Sequence, residues 1–418
     1  MLPPDATSDV IVVGGGPAGA VAAMTLARRG VRALVVDKKR CPRDKPCGGG
    51  IRASVRRRFP ELMAHVAKHV ELHELRRVHM ESPSGASVVA ESAVPFYLTL
   101  RRVELDAALL ERAREAGARI LESARVAGLS VDAGGITARL VDGRELRARA
   151  VIGADGVNSI VARATGLGDG FGDDTLAIDT MEETPLAELG VADTDTMYVA
   201  YGYRGRPGYG YVFPKARHVD AGVGFLLSFY RELEGAPWDH HREFLAAAAA
   251  KGVVHGRSNR DNFKAYRLPL GGPVPRTYAD RVVLAGDAGG FVNAYTGEGI
   301  YYAMVTGEHA AATVADTLAA GDLSARALAA YETRWRGEIG RELADSVRIQ
   351  RRLFSDPSLA DRVIRAAAID ARLCRLFAAV ALGEDDLRRR KLEIAWRFTV
   401  ASLRLRWRGP HCDAGRRV

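Results

Sequence analysis

Gly14, Gly16 and Gly19 have the spacing of a turn that binds the phosphates of a dinucleotide. They follow the apolar run Val10–Val13, which suits a buried parallel strand, and they open a segment with a helical pattern. The first glycine allows the tight turn, the second lets a pyrophosphate approach the backbone, and the third lets the helix pack against the strand. Asp37 follows about 20 residues later, where a carboxylate can accept hydrogen bonds from ribose hydroxyls. These residues predict a dinucleotide site and leave FAD and NAD(P) both open.

Two more clusters combine glycine with an acid, GADG at residues 153–156 and GDA at residues 286–288. Each follows a short apolar run typical of a buried strand. Because the carboxyl ends of strands meet along one edge of a doubly wound sheet, we expect Asp155 and Asp287 to lie beside Gly14 and to contact the same ligand. The chain has no second G-x-G-x-x-G motif, so NAD(P)H has no domain of its own. Either NAD(P)H visits the site transiently or another donor supplies electrons.

The elements that must position these residues predict an α/β fold, α+β overall, with a discontinuous Rossmann-like domain. We assign residues 1–75, 101–174 and 275–320 to that dinucleotide-binding domain. Residues 76–100 and 175–274 carry strand patterns and predict an inserted, antiparallel β-rich substrate domain. Residues 321–418 form a helical C-terminal region. The pattern also predicts one helix over residues 51–75, a strand over residues 221–229 and a helix break at Pro357.

Three histidines in the predicted helix, His65, His69 and His73, lie four residues apart, a spacing that could bind a metal ion. They fall one position beside the apolar stripe of that helix, and no second set of ligands accompanies them. We therefore expect no metal site.

The composition excludes several classes of protein. No apolar run reaches the length of about 18 residues that a transmembrane helix needs. The N-terminus lacks the basic start and apolar segment of a signal peptide. Cys41, Cys47, Cys374 and Cys412 are too few and too scattered for a disulfide scaffold, so we expect a cytoplasmic protein.

The net charge of +9 is concentrated in a basic tail, residues 388–418. The tail contains ten Lys or Arg and two acidic residues, interleaved with Trp, Phe and Leu. That combination suits the surface of an anionic membrane, to which the protein would attach peripherally. The alternatives are a solvated end without a partner and a nucleic acid. We expect no nucleic-acid partner, because no recognition motif accompanies the charge.

The motifs together resemble a known family. GGGPAG at residues 14–19, GADGVNSIVARAT at 153–165 and GDAGGFVNAYTGEG at 286–299 resemble the FAD-dependent oxidoreductases of the aromatic-hydroxylase fold. PRDKPCGGGI at 42–51 and YGYVFPK at 209–215 resemble the geranylgeranyl reductase family, which saturates prenyl double bonds. The resemblance covers residues 9–307, and it implies that the cofactor is FAD.

The resemblance also implies roles for particular residues. Arg102 would contact FAD, Val126 would contact the adenine through its backbone, and Asp155 and Asp287 would lie near the pyrophosphate or ribityl chain. Gly299 and Ile300 would begin a helix whose positive end stabilises the anionic reduced flavin.

The loop that carries Cys47, Gly48 and Gly50 would lie against the flavin, since successive glycines permit close approach to a flat ring. Cys47 is then a candidate proton donor or redox-tuning group, and Lys45 and Arg43 nearby would favour its thiolate. The alternative is a cysteine with a merely structural role.

Two departures from the family pattern affect the substrate pocket. The family's tyrosine–tryptophan pair is Tyr209 and Tyr211 here, and a proline after FVN is Ala294. Tyr211 therefore adds a phenol to an aromatic wall, and it is the second candidate proton donor, with Tyr209 beside it.

The predicted function is FAD-dependent saturation of C=C bonds in a geranylgeranyl or other polyprenyl chain, by hydride transfer from reduced flavin. The expected partner is a long apolar isoprenoid lipid. Two alternatives stay open: a flavin monooxygenase of the same fold acting on an aromatic or polyketide-like substrate, and an FAD-binding partner protein without catalysis. The sequence indicates no oligomeric state.

Overall fold

The computed structural model describes residues 8–203, 206–356, 358–385 and 387–408. Pro357, Cys412 and the last part of the basic tail, residues 409–418, lie outside the described residues. Among the helices within those ranges, none combines the length and the apolar composition that crossing a bilayer requires.

In chain order, the strands are β1 (Val10–Val13), β2 (Ala33–Val36), β3 (Gly50–Arg52), β4 (His73–Leu75), β5 (Arg77–Glu81), β6 (Ser87–Glu91), β7 (Tyr97–Thr99), β8 (Arg119–Leu121), β9 (Val126–Asp132), β10 (Gly135–Leu140), β11 (Glu145–Ala148), β12 (Ala150–Gly153), β13 (Leu176–Pro185), β14 (Leu189–Val191), β15 (Thr196–Tyr203), β16 (Arg206–Pro214), β17 (His218–Leu226), β18 (Val254–Gly256), β19 (Phe263–Pro269), β20 (Tyr278–Ala279) and β21 (Val282–Leu284).

The α-helices are α1 (Pro17–Arg28), α2 (Val55–Arg58), α3 (Pro60–His69), α4 (Arg102–Glu115), α5 (Ile160–Ala164), α6 (Leu227–Tyr230), α7 (Pro237–Ala250), α8 (Ile300–Ala319), α9 (Ala325–Trp335), α10 (Arg341–Ser355), α11 (Ser358–Ile369), α12 (Ala371–Ala381) and α13 (Leu387–Arg408). Short 3-10 turns cover Arg260–Asn262 and Gly286–Gly289, and a π-helical turn, Arg336–Gly340, joins α9 to α10.

A six-stranded sheet with the order β20-β21-β12-β1-β2-β8 forms the base of the fold. β1 pairs in parallel with β2 and β12, and the edge strand β20 runs antiparallel to β21. Val10 and Val12 pack into one buried cluster with α1 and α8, whereas Ile11 and Val13 pack into another with β9 and β10. Burial on both faces explains the unbroken apolar run of β1. The sheet confirms the predicted α/β fold class.

A seven-stranded sheet with the order β19-β13-β17-β16-β15-β5-β6 forms the second layer of the site. Its neighbouring strands are antiparallel except β15 and β5, which are parallel. β5 and β6 come from residues 76–100 and the other strands from residues 175–274, the two segments predicted to form one substrate domain. The domain limits themselves stay a prediction.

The prediction of one helix over residues 51–75 is only partly correct, because the structure has two helices, α2 and α3, in this segment and a strand at each end. Ile51 belongs to β3 and pairs with β7, and residues at the other end of the segment form β4 on the opposite side of β7. Between them, α2 ends before Pro60, which starts α3 because proline fits only the first turn of a helix. His73 therefore lies on a strand, and the three histidines do not form one helical row.

The strand predicted over residues 221–229 is also wrong at its end. β17 stops at Leu226, and the chain turns into α6. The sequence pattern did not indicate this turn, because α6 is as rich in apolar residues as the strand before it.

Candidate active site

A cavity of about 560 Å³, the main cavity, has walls from both large sheets. That volume lies within the usual range of ligand sites, roughly 300 to 1,000 Å³. The predicted site residues in its wall are Gly14, Gly16, Asp37, Cys47, Gly48, Gly50, Arg102, Val126, Asp155, Tyr209, Tyr211, Asp287, Gly299 and Ile300. Residues up to 286 positions apart in the chain thus meet in one place.

The glycine turn leaves space that a larger residue would fill. Gly14 has a φ of +101°, and a Cβ there would lie 2.3 Å from the carbonyl oxygen of Ala154. A Cβ at Gly19 would lie 1.8 Å from the carbonyl oxygen of Gly14, so Gly19 sets the contact between α1 and β1 rather than lining the cavity. Both observations match the roles that the spacing predicts.

Asp37 stands at the end of β2, as predicted for a ribose-binding acid. Its carboxylate accepts hydrogen bonds from the amides of Gly15 at 2.7 Å and Lys39 at 2.8 Å. A guanidinium nitrogen of Arg43 lies 3.7 Å from the same carboxylate. The backbone amides therefore fix the side chain in the cavity wall.

Asp155 has a structural task that the sequence did not reveal. Its carboxylate accepts hydrogen bonds from the Ser159 hydroxyl at 2.6 Å and the Ile160 amide at 2.7 Å, at the start of α5. Burial raises the pKa of Asp155, against the effect of these hydrogen bonds. The side chain thus stabilises the loop around the phosphate position, and its carboxylate is already hydrogen-bonded.

A cluster of cations faces the region between the glycine turn and Asp287. Arg102 donates two hydrogen bonds of 2.8 Å to Asp106, and Arg43 lies 3.2 Å from Asp106. Burial, together with the neighbouring Arg102, lowers the pKa of Lys45 to about 8. Asp37 and Asp287 lie near these cations as well, so the cluster offers guanidinium and ammonium donors for a pyrophosphate rather than a net positive charge.

These observations fit FAD. The glycine turn, the N-terminus of α1 and the cation cluster suit the pyrophosphate, and Asp37 suits the ribose. Gly286 has a φ of +60° and lies against Ala18. A Cβ at Gly286 would lie 3.1 Å from the Ala18 methyl, so glycine keeps this part of the cavity wall free of a side chain. The expected contacts of Val126 with adenine and of Asp287 with the ribityl chain stay predictions.

The glycines after Cys47 are required by the protein's own packing. A Cβ at Gly48 would lie 3.1 Å from the Phe213 ring, and one at Gly50 would lie 2.3 Å from the Tyr97 ring. The Cys47 sulfur accepts a hydrogen bond from the Gly49 amide at 3.4 Å. The loop is therefore held against an aromatic wall, with Cys47 half-buried at the main cavity.

A buried ion pair that the sequence did not reveal joins this loop to the start of α8. Arg52 donates to Glu298 from its amide and Nε, both at 2.9 Å, and from Nη2 at 2.6 Å. Nη2 also donates to Glu342 at 2.8 Å. The side chains of Arg52 and Glu298 are 3% and 2% exposed. This pair fixes Gly299 and Ile300 relative to the Cys47 loop.

The hydroxyl protons of both candidate tyrosines are already donated. Tyr209 donates to the carbonyl oxygen of Thr296 at 2.9 Å. Tyr211 donates towards Asp179 at 3.1 Å and Asp220 at 3.3 Å. The Tyr211 ring reaches them because Gly222 faces it from β17, where a Cβ would lie 2.6 Å from the hydroxyl.

Asp179 and Asp220 form a carboxyl pair beneath the aromatic wall. Burial, together with Asp220, raises the pKa of Asp179 to about 8. Burial raises the pKa of Asp220 to about 7, although Lys215 lies 3.3 Å away and opposes this shift. Neither carboxyl was predicted from the sequence. On β17 the available signal was an acid inside a mostly apolar strand pattern, whereas β13 carries several other polar residues, so Asp179 does not stand out there.

A second cavity of about 90 Å³, the apolar cavity, adjoins the main cavity. The two cavities share the wall residues Asp179, Tyr209 and Leu268. Other residues around the apolar cavity are mostly apolar: Ala177, Phe225, Leu226, Leu270, Ala294, Leu353 and Phe354. A small apolar recess therefore lies directly beside the main cavity.

Comparison with known proteins places these features in context. The model of the FAD binding domain family matches residues 7–345. The chain is 32% identical to digeranylgeranylglycerophospholipid reductase 2 of Methanothermobacter thermautotrophicus, over 82% of this chain and 87% of that protein.

Two solved structures show the same fold. A geranylgeranyl bacteriochlorophyll reductase-like protein of Thermoplasma acidophilum has a TM-score of 0.78 and 20% identity, over 92% of this chain and 98% of that chain. Anhydrotetracycline hydroxylase of Streptomyces rimosus has a TM-score of 0.64 and 22% identity, over 91% and 76%.

Proposed function

This chain belongs to the FAD-binding family that includes the digeranylgeranylglycerophospholipid reductases, and on that premise we propose that it is an FAD-dependent reductase that saturates C=C bonds of a geranylgeranyl chain on a lipid. The observation that supports this substrate class best is the junction of the two cavities. A cavity that fits FAD adjoins an apolar recess, with Asp179, Tyr209 and Leu268 in the wall between them. An extended hydrocarbon can enter such a recess, and a polar aromatic substrate gains little from it.

Bound FAD, once reduced, supplies the hydride for the alkene. The chain's residues bind and orient the reactants. The Cys47 loop and the N-terminus of α8, which Arg52 and Glu298 join, would hold the flavin ring. The positive end of the α8 dipole favours negative charge at the ring edge. The apolar wall excludes water and aligns the prenyl chain, which an unactivated alkene needs for hydride transfer.

We propose that the electron donor has no permanent binding site on the chain. One dinucleotide motif is present in the chain, and the main cavity is assigned to FAD. NAD(P)H or another reductant therefore meets the flavin transiently and leaves before the lipid is reduced.

Anaerobic photoreduction of the purified, FAD-loaded protein tests the proposal. Addition of a digeranylgeranyl glycerophospholipid is expected to reoxidise the flavin, followed by its absorbance, whereas the fully saturated lipid leaves it reduced. Reoxidation by O₂ alone, with a hydroxylated product, would establish a monooxygenase instead. A third outcome would indicate an FAD-binding partner protein: no lipid reoxidises the flavin, and O₂ reoxidises it without forming a lipid product.

Cys47→Ala is expected to slow lipid-dependent flavin reoxidation at least about tenfold, because Cys47 is the thiol at the proposed flavin face of the main cavity, where it would tune the reactivity of the reduced flavin. FAD stays bound, because the loop is held by its glycines and by Arg52. Stopped-flow absorbance measures the rate. Cys41→Ala is the matched control, since Cys41 is also a free, half-buried thiol but lines a different cavity. Equal rates in the two variants would remove Cys47 from the mechanism.

We also propose that α13 places this cytoplasmic enzyme on an anionic membrane surface, where its lipid substrate resides. Ile394, Phe398 and Ala401 pack towards α11 and α12. The opposite side of α13 exposes large apolar residues: Leu392 at 84%, Trp396 at 63%, Leu403 at 49% and Trp407 at 90%. Exposed cations flank them: Arg389, Lys391, Arg404 and Arg406. Trp and Leu between cations suit the lipid headgroup region.

Trp396→Glu combined with Trp407→Glu is expected to reduce binding to anionic vesicles at least about tenfold, since both indoles leave the proposed interface and two negative charges enter it. Vesicle flotation with phosphatidylglycerol and phosphatidylcholine liposomes measures the bound fraction. Val94→Glu changes another exposed apolar residue, 67% exposed in the loop between β6 and β7, and should leave binding unchanged. Flotation of the double variant at the wild-type level would exclude α13 as the contact.

A further inference from the structure

We infer that Asp179 is the acid that protonates the alkene, and that Tyr211, Asp220, Lys215 and Glu183 connect it to solvent. This inference rests on the proposed function, because it concerns the second hydrogen of the same reduction. It moves the proton-donating role from Cys47 and Tyr211 to a carboxyl that the sequence motifs did not include.

The position of Asp179 is the first observation. Its side chain lies in the wall that the main cavity shares with the apolar cavity, and the residue is 7% exposed. Oδ2 accepts the Tyr211 hydrogen bond, whereas Oδ1 is buried without a hydrogen-bond partner among the described residues. Gly224 on β17 lines the apolar cavity and has no side chain. A Cβ there would lie 3.5 Å from Oδ1, so a methyl-sized space adjoins this oxygen. Oδ1 therefore lies directly behind the surface of the apolar cavity, and a turn of the carboxyl group would present it to a prenyl chain there.

The protonation state of Asp179 is the second observation. Burial and the nearby Asp220 raise the pKa of Asp179 to about 8, while Lys45 opposes the shift. Tyr211 and Tyr209 face Asp179 from β16, and Tyr266 is opposite it on β19. At pH 7 the carboxyl is therefore mostly neutral. Because Oδ2 accepts from Tyr211, the proton is placed on Oδ1, where it meets no acceptor in the described part of the chain.

A continuous set of polar groups leads from Asp179 to the surface. Tyr211 bridges Asp179 and Asp220 at 3.1 and 3.3 Å. Lys215 donates to Asp220 at 3.3 Å and to Glu183 at 2.5 Å. The side chains of Asp220 and Lys215 are 1% and 2% exposed, whereas that of Glu183 is 24% exposed.

Strand register explains why these groups meet. Asp179 and Glu183 share one face of β13, and Glu183 is opposite Asp220 on β17. Asp220 has a pKa of about 7, so it can both release and take up a proton near neutral pH.

In the proposed step, the alkene gains one proton and one hydride. The Oδ1–H bond of Asp179 breaks and a C–H bond forms at one alkene carbon, as the π bond opens. The other carbon receives the hydride that the reduced flavin supplies, so the alkene gains two electrons and the flavin loses them. Asp179 is left as a carboxylate. A proton returns from solvent by way of Glu183, Lys215, Asp220 and Tyr211, and Tyr211 delivers it to Oδ2. The carboxyl group must therefore rotate before the next turnover to bring this proton to the Oδ1 position.

Infrared spectroscopy of the FAD-loaded protein tests the protonation of Asp179 without turnover. The wild type is expected to show a carboxylic-acid C=O band that disappears as the pH rises through about 8. Asp179→Asn should lack this band. Glu182→Gln, a change on the other face of β13, should retain it. A wild-type band that is absent at pH 6 would overturn the inference.

Single-turnover kinetics test the proton transfer itself. Asp179→Asn is expected to slow lipid-dependent flavin reoxidation by about 10²- to 10⁴-fold, while FAD binding and photoreduction are unchanged. Asp179→Glu should recover part of the rate. Tyr211→Phe keeps the acid but interrupts its reprotonation, so its first turnover should be near normal and its steady-state rate should fall.

The outcomes separate this inference from the proposed function. If the wild type reduces no prenyl lipid, the proposed function fails and the proton-donating role fails with it. If the wild type reduces the lipid and Asp179→Asn does so at the same rate, only the present inference fails. If Asp179→Asn does not fold, a steady-state rate in Tyr211→Phe equal to that of the wild type would overturn the proposed path.

Discussion

Gly14→Ala is expected to weaken FAD binding by at least about a hundredfold, or about 2.7 kcal/mol. Gly14 has a φ of +101°, where a side chain is strained, and its new Cβ would lie 2.3 Å from the Ala154 carbonyl oxygen. One of the strand ends around the pyrophosphate position must then move. Fluorescence titration of the FAD-free protein with FAD measures the change.

Gly30→Ala is the control for backbone strain alone. Gly30 has a φ of +74°, but a Cβ there meets nothing within 4 Å. We expect Gly30→Ala to lower the free energy of unfolding by about 1 kcal/mol and to leave FAD affinity unchanged. If Gly14→Ala binds FAD as tightly as Gly30→Ala does, the glycine turn is not the pyrophosphate site.

Arg52→Met is expected to lower the free energy of unfolding by about 3 to 5 kcal/mol. Methionine replaces much of the volume of Arg52, but it leaves the Glu298 carboxylate buried, 2% exposed, without its cation. The start of α8 and the Cys47 loop then lose their connection, so FAD affinity should fall as well. Urea denaturation followed by circular dichroism measures the stability.

Arg57→Met is the matched control for the loss of an arginine. Arg57 lies on the neighbouring helix α2, is 76% exposed and has one contact of 3.4 Å with Glu384. Exposed ion pairs of this kind contribute less than about 1 kcal/mol. Similar stability losses in Arg57→Met and Arg52→Met would show that the buried pair has no special role.

That Gly14, Asp37, Asp155 and Asp287 line one cavity could be predicted from the sequence because each follows a strand. Gly14, Asp37, Asp155 and Asp287 come after apolar runs, and the parallel sheet brings the ends of those runs together. This inference needs only the period of the pattern and the geometry of parallel strands. It does not fix what each side chain does, and Asp155 is engaged in holding the start of α5.

The partners of buried charges could not be predicted in this way. Arg52 and Glu298 are 246 residues apart, and nothing local to either one indicates the other. The helix predicted over residues 51–75 even placed the segment around Arg52 in the wrong element, because short strands such as β3 carry too few residues to show a period.

The carboxyl pair beside Tyr211 depends on strand register. Asp179, Tyr211 and Asp220 lie on three different strands, and Gly222 provides the space through which the Tyr211 ring reaches the two acids. Register between strands is set by the whole sheet, so a single sequence does not show it. The departure of Tyr211 from the family's tryptophan was visible in the sequence, and the structure gives that phenol two carboxyl partners.

Mass spectrometry of the lipid after anaerobic turnover tests the central claim most directly. The FAD-loaded enzyme, reduced by light, is incubated with a digeranylgeranyl glycerophospholipid, and the lipid is extracted and compared with a sample that lacks the protein. We expect a product heavier by two hydrogen atoms for each double bond reduced, with no oxygen added. A lipid of unchanged mass, or one that gains oxygen when air is admitted, would contradict the account.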